Sequence, residues 1–285
     1  DDEPLAISTL RGQFADNRAW SADLSRPAVI VGTVDMIGSR LLFSGYGSGF
    51  RTRPHHAAFI GQDTLIVHDE AHLEPAFQKL LASVETQQAR DRDLRPLRVL
   101  ALSATNRGNA PAFKLSEQDL NDSRIRQRIH AAKRLVPHLI DDEKKQLTEK
   151  LVALALSHRD SNRAVLIFAR SLEIVQRVVT ELEKTKVSPT PVSLTGTLRG
   201  WERDRLVEHP VFQRFLPPSS RVSIVEPIPT GTVYLVATSA GEVGVNLSAD
   251  DLICDLSTFE SMAQRFGRVN RFGELSDTVI DVVYP

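Results

Sequence analysis

Short apolar runs recur along the chain, and most of them end in small or polar residues. The run from Ala28 breaks at Gly32 into a turn and a helix that begins near Asp35 and carries Arg40. The runs at 65–68 and 97–102 lack alternation, the pattern of strands buried on both faces of a parallel sheet. Runs at 164–168, 191–194, 233–237, 252–254 and 278–284 repeat the pattern in the second half. Helical spacing separates most of them. Phe77, Leu80, Leu81 and Val84 mark a helix over 75–89, and Leu147, Leu151, Leu154 and Leu156 mark an amphipathic one over 141–158. This alternation predicts an α/β chain with two parallel sheets in tandem. The expected division is a first domain at 1–115, connecting helices at 116–160 and a second domain at 161–285. Residues 5–24 read as helix and loop around Trp20, and the proline-rich stretch 210–229 as a surface insertion.

With 285 residues, each of two domains can bury its own core. The net charge of −1 spreads no basic footprint over the whole chain, so any nucleic-acid contact has to be local. The single cysteine, Cys254, sits in an apolar run and reads as a small core residue, which excludes disulfides and cysteine-rich metal sites. No apolar run approaches a membrane span and the acidic start is no signal peptide, so the expectation is a cytoplasmic protein without a membrane partner.

Two adjacent carboxylates, Asp69 and Glu70, follow the 65–68 run, at the edge where open α/β sheets hold ligands. An Asp there can hold Mg²⁺ through its water shell, while the neighbouring Glu orients and deprotonates a water attacking a γ-phosphate. A charged helix cap would be spelled the same way. Thr33 can donate to a phosphate oxygen or cap the helix after it. The glycine-rich stretch 44–56 is no phosphate loop, because no Gly-Lys pair occurs in the sequence. With Tyr46, Phe50, two arginines and two histidines it fits a loop that touches a nucleic-acid strand, or a solvated loop. Arg124, Arg126, Arg128, Lys133 and Arg134 form the most basic patch, for which a solvated face is the plainer reading. Arg265, Arg268 and Arg271 recur every three residues and fan over neighbouring faces of a helix, and such planar, permanently charged groups suit a phosphate transition state.

Taken together, the spellings resemble the motifs of superfamily-two helicases. Asp69-Glu-Ala-His72 resembles motif II, the DEAH box, and Ser103-Ala-Thr105 resembles motif III. Phe168-Ala-Arg-Ser171 with Leu194-Thr-Gly-Thr197 resembles motifs IV and IVa, the stretch from Thr238 to Asn246 motif V, and Gln264-Arg-Phe-Gly-Arg268-Val-Asn-Arg271 motif VI. With Gly32-Thr33-Val34-Asp35 before motif II, the set is similar to the CRISPR-associated helicase-nuclease of type I interference. That resemblance implies two RecA-like domains, ATP and Mg²⁺ as cofactors, and an ATP-driven motor on single-stranded DNA that acts in antiviral defence with a Cascade-type effector complex. It implies catalytic roles for Asp69, which is also the metal residue, and for Glu70, Gln264, Arg268 and Arg271. Cofactor contacts fall to Asp69, His72, Ser103, Thr105, Gly244 and Arg265, and strand contacts to Thr33, Arg40, Arg170, Thr195 and Thr238. Motif I and the histidine-aspartate nuclease domain of this family are absent from the sequence. The expectation is therefore a fragment or one subunit of a split system, with an incomplete first sheet and the nuclease domain elsewhere in the same or another chain. An RNA or repair helicase, or an ATPase-dead nucleic-acid-binding module, are the alternatives.

Overall fold

A computed structural model describes residues 5–10, 18–23, 26–103, 113–198, 200–242 and 244–285. The chain divides into two compact units, residues 1–112 and 113–285.

The first unit runs β1 (Ala6–Leu10), α1 (Ala19–Ala22), β2 (Ala28–Gly32), α2 (Val34–Leu41), α3 (Arg53–Gly61), β3 (Leu65–His68), α4 (Pro75–Asp91) and β4 (Arg98–Ala101). β1 was not foreseen; its Ala-Ile-Ser-Thr-Leu carries little periodicity, and only pairing with β2 makes it a strand. β1 pairs with β2 and β3 with β4, both in parallel, as two separate two-stranded sheets. One core lies beneath them, built from Leu10, Trp20, Leu41, Ile60, Phe77, Leu81 and Leu97. The opposite face is bare. Ile7, Val29, Val31, Leu65, Val67, Leu100 and Leu102 are exposed, so β3 and β4 are not buried on both faces as their apolar runs predict. The cause is local: α2, α3 and α4 carry the apolar side chains that meet Ile30, Ile66 and Val99, and these residues point to one side of their strands only.

The second unit runs α5 (Glu117–Asn121), α6 (Ser123–Ile129), β5 (Arg134–Leu139), α7 (Glu143–Ser157), β6 (Ala164–Phe168), α8 (Leu172–Lys184), β7 (Val192–Leu194), α9 (Gly200–Glu208), α10 (Pro210–Arg214), β8 (Val233–Ala237), β9 (Asp251–Asp255), α11 (Phe259–Phe266) and β10 (Val279–Tyr284). All six strands are parallel, in the order β5-β10-β9-β6-β8-β7. The fold is the RecA-like α/β arrangement that the motif order implies. Alternation now has its full effect. Ala164, Leu166 and Phe168 of β6 face the core that α10 covers, while Val165 and Ile167 face the one that α7 and α8 cover.

Two expectations change here. Residues 116–160 are not only connecting helices, since β5 is the edge strand of the six-stranded sheet and Leu147, Leu151 and Ala155 of α7 are core. The stretch 210–229 is a surface insertion only after its first turns. Pro210 sits in the first turn of α10, where its missing N–H costs nothing, and Val211, Phe212, Phe215 and Leu216 are buried. No helix among the described residues is long and apolar enough to cross a membrane.

Candidate nucleotide and nucleic-acid sites

Parallel register from Leu65 and Arg98 to His68 and Ala101 brings the ends of β3 and β4 side by side. The ladder continues past them, with Leu102 N–H donating to the His68 carbonyl and Ala71 N–H to the Leu102 carbonyl, each at 2.9 Å. The backbone then turns at Glu70, whose φ of 49° is left-handed, a strained conformation for a residue with a long side chain. The turn aims Glu70 Oε2 to within 3.5 Å of His72 Nδ1, and the Ser103 hydroxyl lies 3.2 Å from that same nitrogen. Asp69 is exposed beside it, one oxygen accepting the Glu70 N–H at 3.0 Å. Thr105 lies outside the described residues. His68, just before the pair, is buried edge-on against Phe77, and burial lowers its pKa.

These residues fit one end of a Mg²⁺-nucleotide site. Among the described residues no group of three His, Cys, Asp or Glu could encircle a metal, so a cation at Asp69 would complete its shell with water and phosphate, as Mg²⁺ commonly does. The lysine and glycine cradle for the phosphates is not in this sequence.

In the second unit the C-terminal ends of β6, β8 and β9, neighbours in the sheet, are bound to one another through two buried carboxylates. Asp255, at the end of β9, accepts from Arg170 N (3.0 Å) and Nε (2.8 Å) after β6, and from Arg265 Nη1 (3.0 Å) on α11. Glu242, after β8, accepts from Arg265 Nε at 2.7 Å and from the Ser261 hydroxyl at 2.8 Å. Burial disfavours the Arg265 charge, but the pairing with Glu242 and Asp255 outweighs it and raises the pKa. Arg268 is buried too, with Nε and Nη2 donating to the Glu242 carbonyl (3.1 and 2.6 Å) and Nη1 to the Val245 carbonyl (2.5 Å). Arg271 is exposed, with Nη1 donating to the Asn246 side-chain carbonyl at 2.8 Å.

The three arginines are thus not equivalent, contrary to the helix-face reading. α11 ends at Phe266, so Arg268 and Arg271 lie on the turn beyond it, and the direction of each guanidinium is set by its acceptors on Glu242, Val245 and Asn246. Gln264 is half-buried on α11, and Gly244 takes a φ of +77°. Asp255 and Glu143, the latter an ion-pair partner of Arg170, were not foreseen as site residues. The signal for Asp255 was present: a carboxylate at the very end of an apolar strand.

The residues expected to hold a strand are placed unevenly. The Thr33 hydroxyl accepts from Met36 N at 3.4 Å and caps α2. Arg40 is only 4% exposed and donates to the Met36 carbonyl at 2.8 Å, so the expectation that it meets a strand at the surface does not hold. Its aliphatic stem packs under the glycine-rich turn, where a Cβ on Gly45 would stand 2.9 Å from Arg40 Cγ. Thr195 is buried, its hydroxyl 3.0 Å from that of Thr197. Thr238 caps the short turn after β8, accepting from Ala240 N at 3.4 Å. Arg170 remains partly exposed.

Residues 161–274 match the family model described as CRISPR-associated nuclease/helicase Cas3, C-terminal. The resemblance read from the motifs therefore holds for the domain that carries motifs IV, V and VI. No curated protein sequence matches the chain. Among solved structures, Cas3 of T. fusca with AMPPNP is similar at 18% identity and a TM-score of 0.62, over 99% of this chain and 37% of that one. The helicase Lhr of Mycobacterium smegmatis bound to ssDNA and AMP-PNP gives 16% and 0.52, over 99% and 35%. Dbp5 of S. cerevisiae bound to RNA and ADP BeF3 gives 19% and 0.56, over 99% and 64%. At these identities the likeness concerns the fold, and the chain spans between about a third and two thirds of the length of these proteins.

Proposed function

We propose that this chain is the motif II to motif VI portion of an ATP-dependent superfamily-two helicase of the Cas3 type. In this reading it moves on single-stranded DNA in type I CRISPR defence, with a Cascade-type complex as partner and a nuclease domain in the same or another chain. The observation that carries the reading is the clasp at the end of the second sheet. Asp255 and Glu242 join Arg170 and Arg265 at one end of the sheet and leave Arg271 turned to solvent. A surface charge run would not need two buried carboxylates to hold it.

ATP with Mg²⁺ supplies the phosphoryl group and the charge that draws electrons from it. This chain's residues have separable tasks. Asp69 would hold the metal through water, and Glu70, steadied by His72 and Ser103, would orient the attacking water and take its proton. Arg271 would neutralise phosphate charge, while Arg265 and Arg268 would position it by holding Glu242 and Val245. Thr238 and Arg170 would meet the strand. Similarity to both an ssDNA complex and an RNA complex means the fold itself does not select the sugar. Comparing ATP turnover stimulated by DNA and by RNA strands decides between the DNA motor and an RNA helicase.

The test uses a version of the protein extended upstream to include a Gly-Lys-Ser/Thr loop. Glu70→Gln should keep nucleotide binding and remove most hydrolysis, because the amide holds the shape but takes no proton. Weakened binding with normal turnover would reject the assignment of Glu70.

A further inference from the structure

Between Met36 and Gln62 the chain holds three arginines and two histidines and no Asp or Glu. Within this stretch α2 ends in a Schellman stop, with Phe43 N–H donating to the Arg40 carbonyl (3.0 Å) and Ser44 N–H to the Ser39 carbonyl (2.7 Å). Glycine usually takes the left-handed position of such a stop. Here it is Phe43, at a φ of 59°, a strained place for a ring. Two tight turns follow, closed by Ser48 N–H to the Gly45 carbonyl (3.2 Å) and Thr52 N–H to the Gly49 carbonyl (3.0 Å). The Thr52 hydroxyl adds a bond to the Gly49 carbonyl (2.9 Å), and the Ser48 hydroxyl lies 3.1 Å from His56 Nδ1, which anchors the loop to α3. Gly47, at a φ of +69°, is the third residue of the first turn, a left-handed place that favours glycine.

The loop is pinned, yet its large apolar side chains point outward. Leu42 is 59% exposed, Phe43 57%, Tyr46 64% and Phe50 85%, with the exposed Arg51 beside Phe50. Four such side chains in nine residues, held out by a hydrogen-bonded frame and one strained backbone position, form a surface for a ligand. The missing acids specify its charge, and three rings followed by the guanidinium groups of Arg51 and Arg53 specify its chemistry. Both suit a flexible polyanion with aromatic faces to offer.

We propose that residues 42–51 are a stacking platform for single-stranded nucleic acid, with bases seated on Tyr46 and Phe50 and the backbone phosphate met by Arg51. This deepens the motor reading above, yet it does not depend on nucleotide hydrolysis. The test measures binding of the 285-residue chain, without nucleotide, to a fluorescein-labelled oligothymidylate and to an abasic strand of equal length. Phe50→Ala, Phe50→Leu and Tyr46→Ala should each weaken oligothymidylate binding by roughly fivefold to a hundredfold, the range of a lost base–aromatic stack. Phe50→Trp should retain it, and none of these should alter binding to the abasic strand. Arg51→Ala should weaken both strands and flatten the salt dependence. Unchanged oligothymidylate affinity in Phe50→Ala, or an equal loss on the abasic strand, overturns the proposal. So does a Phe50→Ala variant that binds strands normally but loses self-association in sedimentation, which would make the patch a protein-docking face. If Glu70→Gln in the extended protein contradicts the motor reading while Phe50→Ala still costs strand affinity, the platform stands without the motor. The converse result removes the platform alone.

Discussion

Arg265→Ala should loosen the whole end of the second sheet. The side chain is 2% exposed, and its guanidinium sits 5.1 Å from the Phe168 ring centroid. It joins Glu242 at 2.7 Å to both the carbonyl (2.8 Å) and the carboxylate (3.0 Å) of Asp255. Deleting one member of a buried pair costs about 3–5 kcal/mol, because the other charge stays buried. Here Asp255 keeps Arg170 and Glu242 keeps the Ser261 hydroxyl, so the lower end of that range, about 3 kcal/mol, applies. That is a large share of the roughly 5–15 kcal/mol stability of a domain. Hydrogen exchange of β6 and β9 amides reads it directly, as about two orders of magnitude faster opening. Arg265→Lys restores charge without the fork and should fall between. Arg271→Ala, on the exposed arginine of the same motif, should change the exchange by less than about 0.5 kcal/mol. Equal protection in Arg265→Ala and the unmutated chain would refute the claim that the clasp is structural.

In the upstream-extended protein, Arg271→Ala should lower ATP turnover by about 10³ at unchanged stability; normal turnover would mean that this arginine meets no phosphate. Arg268→Ala should cost stability as well, since it removes three donors from the Glu242 and Val245 carbonyls, and a urea midpoint separates the two effects. His158, between Asp251 (3.4 Å) and Asp281 (3.9 Å), has its pKa raised from 6.5 to about 9 by its pairing with those carboxylates. A raised folded-state value means that this stabilisation is complete below pH 6.5 and lost as pH climbs through about 9. The groups facing it also include His138 against Asp281 and Arg163 against Asp251. The urea midpoint of the second unit should fall across that window, and His158→Gln should flatten the fall; an unchanged slope would refute the assignment. Finally, amides of β1 to β4 should exchange faster than those of β6, β8 and β9, because their sheets are two-stranded with one apolar face exposed; equal protection would contradict this.

Five of the six strands of the second sheet were legible in the sequence, because strands buried on both faces spell themselves as unbroken apolar runs. The runs at 164–168 and 233–237 coincide with β6 and β8 to the residue. The position of polar residues at strand ends was legible for a related reason: a charged or small polar residue that ends such a run falls at the sheet edge, as with Asp69, Ser103 and Thr238. What the sequence left open was decided by contacts between distant positions. β1 and β5 are strands only because β2 and β10 pair with them. The exposed face of β3 and β4 depends on what packs over it, which periodicity does not record. Three arginines at equal spacing read alike, yet Glu242, Asp255 and Asn246 send Arg265 inward, Arg268 against the backbone and Arg271 to solvent. A guanidinium goes where its acceptors are, and those acceptors stand up to 26 residues away along the chain, so only the folded sheet brings them within reach.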